Sequence, residues 1–320
     1  MSNTPRTAVI LAGQERYVSD VDETGLGAVD AVSDSSAPSS MWGEAWKNLR
    51  IRPLFWIAAA IMVFMFLLAL FPSLFTSQDP RFCELSNSLK PPSSGHFFGY
   101  DRQGCDVFSR VVYGTRASLS VGVLATFLSV VVGATIGALA GFLGGWFDTI
   151  LSRITDIFFA IPFVLAAIVA MQMFKENRDV FLLAVVLAAF GWTQIARITR
   201  GAVLSTKNEE FVTASIAVGK SKMRTLITHI VPNALAPIIV YATVALGAFI
   251  VSEATLSFLG IGLPPEVVSW GGDISRAQAS LRSQPTLLFY PAGALALTVL
   301  AFTMMGDVVR DALDPKARKR

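Results

Sequence analysis

Residues 54–75 read LFWIAAAIMVFMFLLALFPSLF, a run without Asp, Glu, Lys or Arg. The hydrocarbon core of a bilayer is about 30 Å thick and needs roughly 20 such residues in a helix. The run starts far from the first residue, lacks a small-residue cleavage site and is too long for the apolar region of a secretory signal. It therefore predicts a permanent membrane anchor.

Five further charge-free windows of similar length follow along the chain. They lie between Arg116 and Asp148, Asp156 and Lys175, Asp179 and Arg197, Arg224 and Glu253, and Arg282 and Asp307. Backbone groups in hydrocarbon must be satisfied within their own segment, and no stretch shows the alternation of a membrane β-barrel strand. The sequence therefore predicts an all-α membrane protein with six transmembrane helices.

The composition agrees with this fold class. Of the 320 residues, 53% are hydrophobic and 15% are charged, whereas soluble domains carry about 25% charged residues. The net charge of +3 argues against a nucleic-acid partner. Two cysteines and two histidines would all have to be used to make even one structural zinc site of four such ligands. The composition therefore predicts no metal site.

The basic residues beside the spans predict the orientation, because Lys and Arg concentrate in cytoplasmic loops. They cluster before the first span, between the fourth and fifth spans, and at the end of the chain. These residues are Lys47, Arg50 and Arg52; Arg197, Arg200, Lys207, Lys220, Lys222 and Arg224; and Arg310, Lys316, Arg318, Lys319 and Arg320. Both termini are therefore expected in the cytoplasm.

The chain divides into four predicted regions. Residues 1–40 are polar, acidic and without a period, which predicts a disordered cytoplasmic tail. Residues 41–116 are expected to hold an interfacial helix, the first transmembrane helix and an external loop. Residues 117–315 are expected to form a transmembrane domain of five helices with a cytoplasmic loop at 205–232. A basic tail, 316–320, follows.

Motifs for catalysis or nucleotide binding are weak. The chain has no Gly-x-Ser-x-Gly elbow and no His-Glu-x-x-His pair. Residues 214–221 satisfy a relaxed phosphate-loop pattern, but they contain one glycine and follow no predicted strand. We therefore expect a non-catalytic chain that binds no cofactor itself.

The connection from Arg197 to Pro232 reads as a short helix, a hinge at Gly219 and a second amphipathic helix. A solvated basic loop and a docking element for a partner's groove both fit this pattern.

This connection resembles the Glu-Ala-Ala…Gly…Ile-x-Leu-Pro loop of permease subunits of bacterial ABC importers. Thr213-Ala-Ser, Gly219 and His229-Ile-Val-Pro232 stand at matching spacing, although Thr213, His229 and Val231 replace Glu, Ile and Leu. Three more segments are similar to the second, C-type permease subunit of dipeptide, oligopeptide and nickel importers. They are residues 96–110, 252–271 and 302–315.

The resemblance covers residues 41–315 and implies a type I ABC importer permease bundle in the bacterial inner membrane. It implies a heterodimer with a second homologous permease, surrounded by membrane lipid. It also implies two ATPase subunits, which bind ATP and magnesium, and an extracytoplasmic peptide-binding protein. The residues implied to couple to the ATPase are Phe211, Thr213, Ala214, Ser215, Gly219, Lys220 and Pro232.

The expected substrate is a di- or oligopeptide, and nickel or another small solute is the alternative. A stand-alone secondary transporter is a more distant alternative, because such proteins usually show broken helices in inverted repeats and paired charges at the membrane midplane. The sequence shows neither of these features.

Two residues are candidates for the pathway or a gate. Glu253 is the charge deepest in an apolar context, where it either lines the pathway or snorkels outward. Pro162 predicts a kink in the third span, as a gate or as a packing adjustment. Gly133, Gly137 and Gly141 are four residues apart and predict a groove for close helix packing, within this chain or against a partner.

Cys83 and Cys105 lie in the same predicted external loop, and Cys105 stands where the resembled family has arginine. An oxidising exterior permits a disulfide between them. In the chain-entropy model, closing a loop of about 21 residues stabilises a protein by roughly 3 kcal/mol. Two free thiols are the alternative.

Overall fold

The structure, a computed structural model, describes residues 41–313. The regular secondary structure of these residues is helical, without a β-strand. Their contacts divide the chain into two units, residues 1–44 and 45–320. The tails predicted at 1–40 and 316–320 lie outside the described residues. All tertiary contacts given below belong to the second unit.

The described residues form eleven α-helices. They are α1 (Met41–Arg50), α2 (Pro53–Leu70), α3 (Val107–Leu143), α4 (Gly145–Ala160), α5 (Phe163–Met173), α6 (Val180–Thr206), α7 (Glu210–Ala217), α8 (Lys222–Thr225), α9 (Val231–Phe258), α10 (Trp270–Ala277) and α11 (Thr286–Leu313). A π-helical turn, Leu226–Ile230, joins α8 to α9.

Five stretches are long and apolar enough to cross a membrane: α2, α3, α6, the continuous run from α8 through α9, and α11. Helices α4 and α5 form a sixth when they are counted as one span, although the chain bends by 81° between them. The all-α class is therefore confirmed, and the described residues have five apolar spans, or six when the bent pair is counted as the third.

The break in the third span follows from Pro162. Proline lacks an N–H and disfavours helical geometry at the residue before it. Ile161 is accordingly extended, with φ −79° and ψ 123°. The predicted kink is present, as the bend of 81° between α4 and α5.

The helices extend beyond the charge-free windows. Helix α3 begins at Val107, nine residues before Arg116, because the Asp106 carboxylate caps it by accepting the Ser109 N–H at 2.7 Å. Arg116 remains inside the helix, where its guanidinium donates to the carbonyl of Ala69 at 2.8 Å. A charge therefore does not end a helix when a partner satisfies it.

The three spaced glycines of α3 pack against α6 of the same chain. A Cβ atom placed on Gly133 would lie 2.6 Å from the Trp192 carbonyl oxygen, and one on Gly141 would lie 2.9 Å from that of Arg200. Gly137 faces the backbone of Ala196 even more closely. Small residues allow this approach of two backbones. The groove is thus an internal seam between parallel helices.

The helix directions define two ends of the bundle. Helix α9 runs antiparallel to α3 and α6, because its later part meets Gly122 and Gly191 through Ile250 and Phe249 while its start, at Ala234, clusters with Ala138 and Val203. Helix α11 runs back along α9, because Gly247 faces Val299 and Gly306 faces Thr243. We call one end the α7 end and the other the disulfide end, after the features located there. Arg52 and Asp311 form an ion pair of 2.7 Å at the α7 end.

Candidate functional site

A cavity of about 360 Å³ opens at the bend of the third span. Elements α4, α5, α6 and α9 all contribute to its wall, and Pro162 is part of it. Five phenylalanine rings and four polar side chains provide most of the lining. They are Phe158, Phe159, Phe163, Phe190 and Phe249, and Thr193, Gln194, Tyr241 and Ser252. Pro162, predicted as a gate candidate, therefore lies at an open cavity.

Glu253 has a different position from the one expected. Its side chain is fully buried, so it neither lines this cavity nor snorkels outward. Its Oε1 accepts a hydrogen bond of 2.8 Å from the Ser257 hydroxyl, one turn further along α9. The neighbouring residue Ser252 faces the cavity instead. Glu253 is thus an interior polar residue of α9.

The two halves of the broken span both pack on α6, and each half has polar contacts of its own. Arg200 of α6 makes two bonds to Asp148 of α4, at 2.6 and 2.7 Å, and Arg197 pairs with Asp156 at 2.9 Å. At the other end, Arg178 donates to the carbonyls of Met171 (3.3 Å) and Gly260 (3.1 Å). Helix α4 is therefore held to α6, and the end of α5 is held to the segment after α9.

The 205–232 connection folds as a helix, a turn and a second helix. Gly219 has φ +88°, a left-handed conformation that glycine adopts without strain, so α7 ends there. Ser221 caps α8 by accepting the Arg224 N–H. The predicted hinge is therefore a fixed turn, and Pro232 follows it within the first turn of α9.

Helix α7 has one buried anchor and an otherwise open face. Val212 is 2% exposed and packs with Leu226, Ile230 and Val203. Among the predicted coupling residues, Thr213 and Ala214 are exposed, and Ser215 and Lys220 are partly buried. The large apolar side chains that remain exposed on this segment are Phe211, Ile216, Val218, Met223 and Ile227.

Two polar contacts span the turn at Gly219. Ser215 and Thr225 are joined through their hydroxyl oxygens at 3.3 Å, and Lys220 Nζ donates to His229 Nε2 at 2.9 Å. Together with the Val212 anchor, these contacts tie α7 to the start of α9.

At the opposite end, helix α10 is attached to α3 by a buried ion pair. Arg110 Nε and Nη2 donate to Asp273 Oδ1 at 2.9 and 2.7 Å, and Arg276 donates to the same oxygen at 2.8 Å. Burial raises the pKa of Asp273 to about 6, against the opposing effect of Arg110. Asp273 is therefore still mainly ionised at neutral pH, and opposite charges hold α10 in place.

Cys83 and Cys105 are joined by a disulfide in the structure. Cys105 is fully buried directly before α3, and the bond closes the segment that follows α2. Gly104 allows the close approach, because a Cβ atom there would overlap the backbone of Glu84.

Reduction of this disulfide is expected to lower the free energy of unfolding by about 3 kcal/mol in the chain-entropy model. Thermal unfolding in detergent, with and without reductant, measures this change. A Cys83→Ser, Cys105→Ser variant is the control, since reductant should leave its unfolding temperature unchanged. Labelling of either thiol in the native chain without reductant would contradict the bond.

Sequence reasoning missed the Arg110–Asp273 pair and the polar groups of the cavity. The two charges are 163 residues apart and lie outside the charge-free windows. Gln194 and Tyr241 lie inside such windows, but a search for Asp, Glu, Lys and Arg passes over uncharged polar residues. A search for amide and hydroxyl side chains within the charge-free windows would find Gln194 and Tyr241.

Comparison with known families gives two matches. Residues 133–319 match the family described as binding-protein-dependent transport system inner membrane component. Residues 40–92 match the N-terminal transmembrane domain of oligopeptide transport permease C.

Curated relatives match most of the chain. It is 39% identical to the oligopeptide transport system permease protein OppC of Bacillus subtilis, over 91% of this chain and 95% of that protein. It is 38% identical to the dipeptide transport system permease protein DppC of Alkalihalophilus pseudofirmus, over 89% and 93%. It is 36% identical to the glutathione transport system permease protein GsiD of Escherichia coli, over 87% and 91%.

A solved structure shares the fold. It is a chain of the MetNI methionine ABC transporter in an inward-facing conformation, with a TM-score of 0.54 and 21% identity. The match covers 64% of this chain and 96% of that one.

Proposed function

This chain belongs to the family of binding-protein-dependent transport system inner membrane components, and from that premise we propose that it is a permease subunit of an ATP-driven importer of di- or oligopeptides. Its location is the bacterial cytoplasmic membrane. The peptide substrate is supported by the relatives, which are permeases named for oligopeptide, dipeptide and glutathione transport.

The proposal assigns a partner to each end of the bundle. The α7 end and both termini face the cytoplasm, as the basic residues there favour. The disulfide end receives peptide from a binding protein. A second, homologous permease completes the pathway as a heterodimer. ATP and magnesium bind to two ATPase subunits, where hydrolysis takes place, and this chain binds neither.

The apolar surface of α7 supports contact with an ATPase. An amphipathic helix binds a partner by placing its apolar face in a groove, and here Phe211 and Val218, seven residues apart and so on one side of the segment, remain exposed at the end assigned to the cytoplasm. Ala214 lies between them and leaves room for a close approach. Val212 faces the other way and anchors the helix to the bundle.

Helix α9 connects the docking element to the cavity. Its first turn follows the segment around Gly219 that the Ser215–Thr225 and Lys220–His229 contacts span. Further along α9, Tyr241 and Ser252 form part of the cavity wall. A ligand shifts a two-state equilibrium only through its different affinity for the two states. Closure of the ATPases around ATP would favour one position of α7, and α9 would change the cavity accordingly.

Extraction of the chain from its native membrane in mild detergent, followed by mass spectrometry of the co-purifying chains, tests the assembly. We expect a second permease and ATPase subunits. The purified complex in liposomes, with its binding protein, is expected to take up peptide with ATP and not with a non-hydrolysable analogue. Recovery of the chain alone, active without ATP, would overturn the proposal.

A further inference from the structure

Three uncharged polar groups in the cavity at the bend have no hydrogen-bond partner within residues 41–313. They are the Thr193 hydroxyl and the Gln194 carboxamide on α6 and the Tyr241 hydroxyl on α9; Thr193 is buried, and the other two side chains are partly buried. Gln194 lies 14 residues from the start of α6, which is about 21 Å along a helix axis, and Tyr241 lies 10 residues from the start of α9. These groups are therefore well inside the membrane-spanning part of the bundle.

Polar groups at this depth require a partner. An amide or hydroxyl transferred to an apolar environment without a hydrogen bond costs several kcal/mol. Polar residues inside a membrane accordingly face the bundle interior or a water-filled cavity, where they mark substrate pathways. By contrast, the Ser252 hydroxyl donates to the Ala248 carbonyl of its own helix. Thr193, Gln194 and Tyr241 thus have groups available to a ligand, and the side chains of Gln194 and Tyr241 are the more exposed of the three.

The rest of the lining restricts the chemistry of that ligand. None of the lining residues is Asp, Glu, His, Cys, Lys or Arg, so the wall offers no charge and none of the ligands that a nickel ion prefers. Five phenylalanine rings provide apolar contact that does not depend on direction. A carboxamide both donates and accepts, as does a phenolic hydroxyl. The backbone of a peptide presents the complementary groups.

Resting on the proposed function, we propose that this cavity is a contact site for the peptide in passage. Gln194 and Tyr241 hydrogen-bond its backbone amides, and the phenylalanine rings contact its side chains. Every peptide carries the same backbone, and the wall itself has no charged residue. The nearby Arg197, 3.8 Å from the centroid of the Phe159 ring, is paired with Asp156. The site therefore accepts peptides without selecting the charge of their side chains.

Uptake by the complete complex in liposomes tests this assignment. The variants are Gln194→Leu, Tyr241→Phe and the double variant, which remove hydrogen-bonding groups with little change of shape. Tyr290→Phe is the matched control, since Tyr290 stacks on Phe98 outside the cavity, with ring centroids 4.0 Å apart. The probes are radiolabelled trialanine and trialanine with both of its peptide nitrogens methylated, each at saturating concentration.

We expect each single variant to lower trialanine uptake about threefold and the double variant to lower it about tenfold, as the loss of one or two hydrogen bonds implies. The N-methylated peptide has already lost the N–H groups that these side chains would bond. The variants should therefore lower its uptake by a smaller factor than they lower trialanine uptake. Tyr290→Phe should behave as the native chain. Unchanged trialanine uptake in the double variant, or equal losses for both peptides, would overturn the site. An assembled native complex that takes up no peptide would overturn the proposed function itself.

Discussion

Gly137→Ala is expected to reduce the free energy of unfolding by about 3 kcal/mol, the upper part of the usual range for overpacking. The added Cβ would meet the backbone of Ala196 and would lie 2.8 Å from the Cβ of Thr199. Neither atom can move aside by a side-chain rotation. The two helices must therefore separate along the whole seam. Thermal unfolding of the purified chain in detergent, followed by size-exclusion chromatography, measures the loss.

Gly201→Ala is the matched control for this prediction. Gly201 lies in α6, and a Cβ atom there meets nothing within 4 Å. Alanine is favoured over glycine inside a helix by up to about 1 kcal/mol, so this variant should be at least as stable as the native chain. Equal stability of Gly137→Ala and Gly201→Ala would show that the seam tolerates a side chain.

Ala214→Glu is expected to abolish ATP-dependent uptake while the chain still inserts in the membrane. Ala214 is exposed on the open face of α7, so a carboxylate there does not disturb the packing of Val212. It would place a charge without a partner in the proposed ATPase groove, which is strongly unfavourable. Peptide-stimulated ATP hydrolysis by the complex and peptide uptake are the two measurements.

Ser205→Glu is the control for Ala214→Glu, because it adds the same charge at an exposed position of α6 near the same end. It should retain uptake. Gly219→Pro should reproduce the loss, since φ +88° is outside the range of proline and the Gly219 N–H donates to the Ile216 carbonyl. Native uptake in both Ala214→Glu and Gly219→Pro would refute the coupling role of α7.

The sequence predicts the helical architecture because hydrophobic length is a local property. Each charge-free window contains most of a helix, and Pro162 marks the break in the third span. The boundaries are less accurate, because a helix continues through a charge whose partner lies elsewhere in the fold. Arg116 inside α3 depends on carbonyl groups at the end of α2 in this way.

The candidate site is predicted only in part. The turn at Gly219 follows from local spacing, so it is visible in the sequence. The role of Glu253 is not, because its depth in a span gives no indication of whether it faces a cavity or the interior. The cavity itself arises where α4, α5, α6 and α9 meet. Because the lining residues are far apart in the sequence, no local sequence pattern predicts the cavity.

The break at Ile161–Pro162 divides the third span into two arms, α4 and α5, that meet at an angle. Continuous helical hydrogen bonds do not join the two halves, and Pro162 has no N–H whose hydrogen bond a change of angle could break. Asp148 and Asp156 fix one arm to α6, and Arg178 fixes the far end of the other arm to Gly260. Both arms also pack on α6, so a change of the angle between them would reshape the wall of the cavity that lies at the bend.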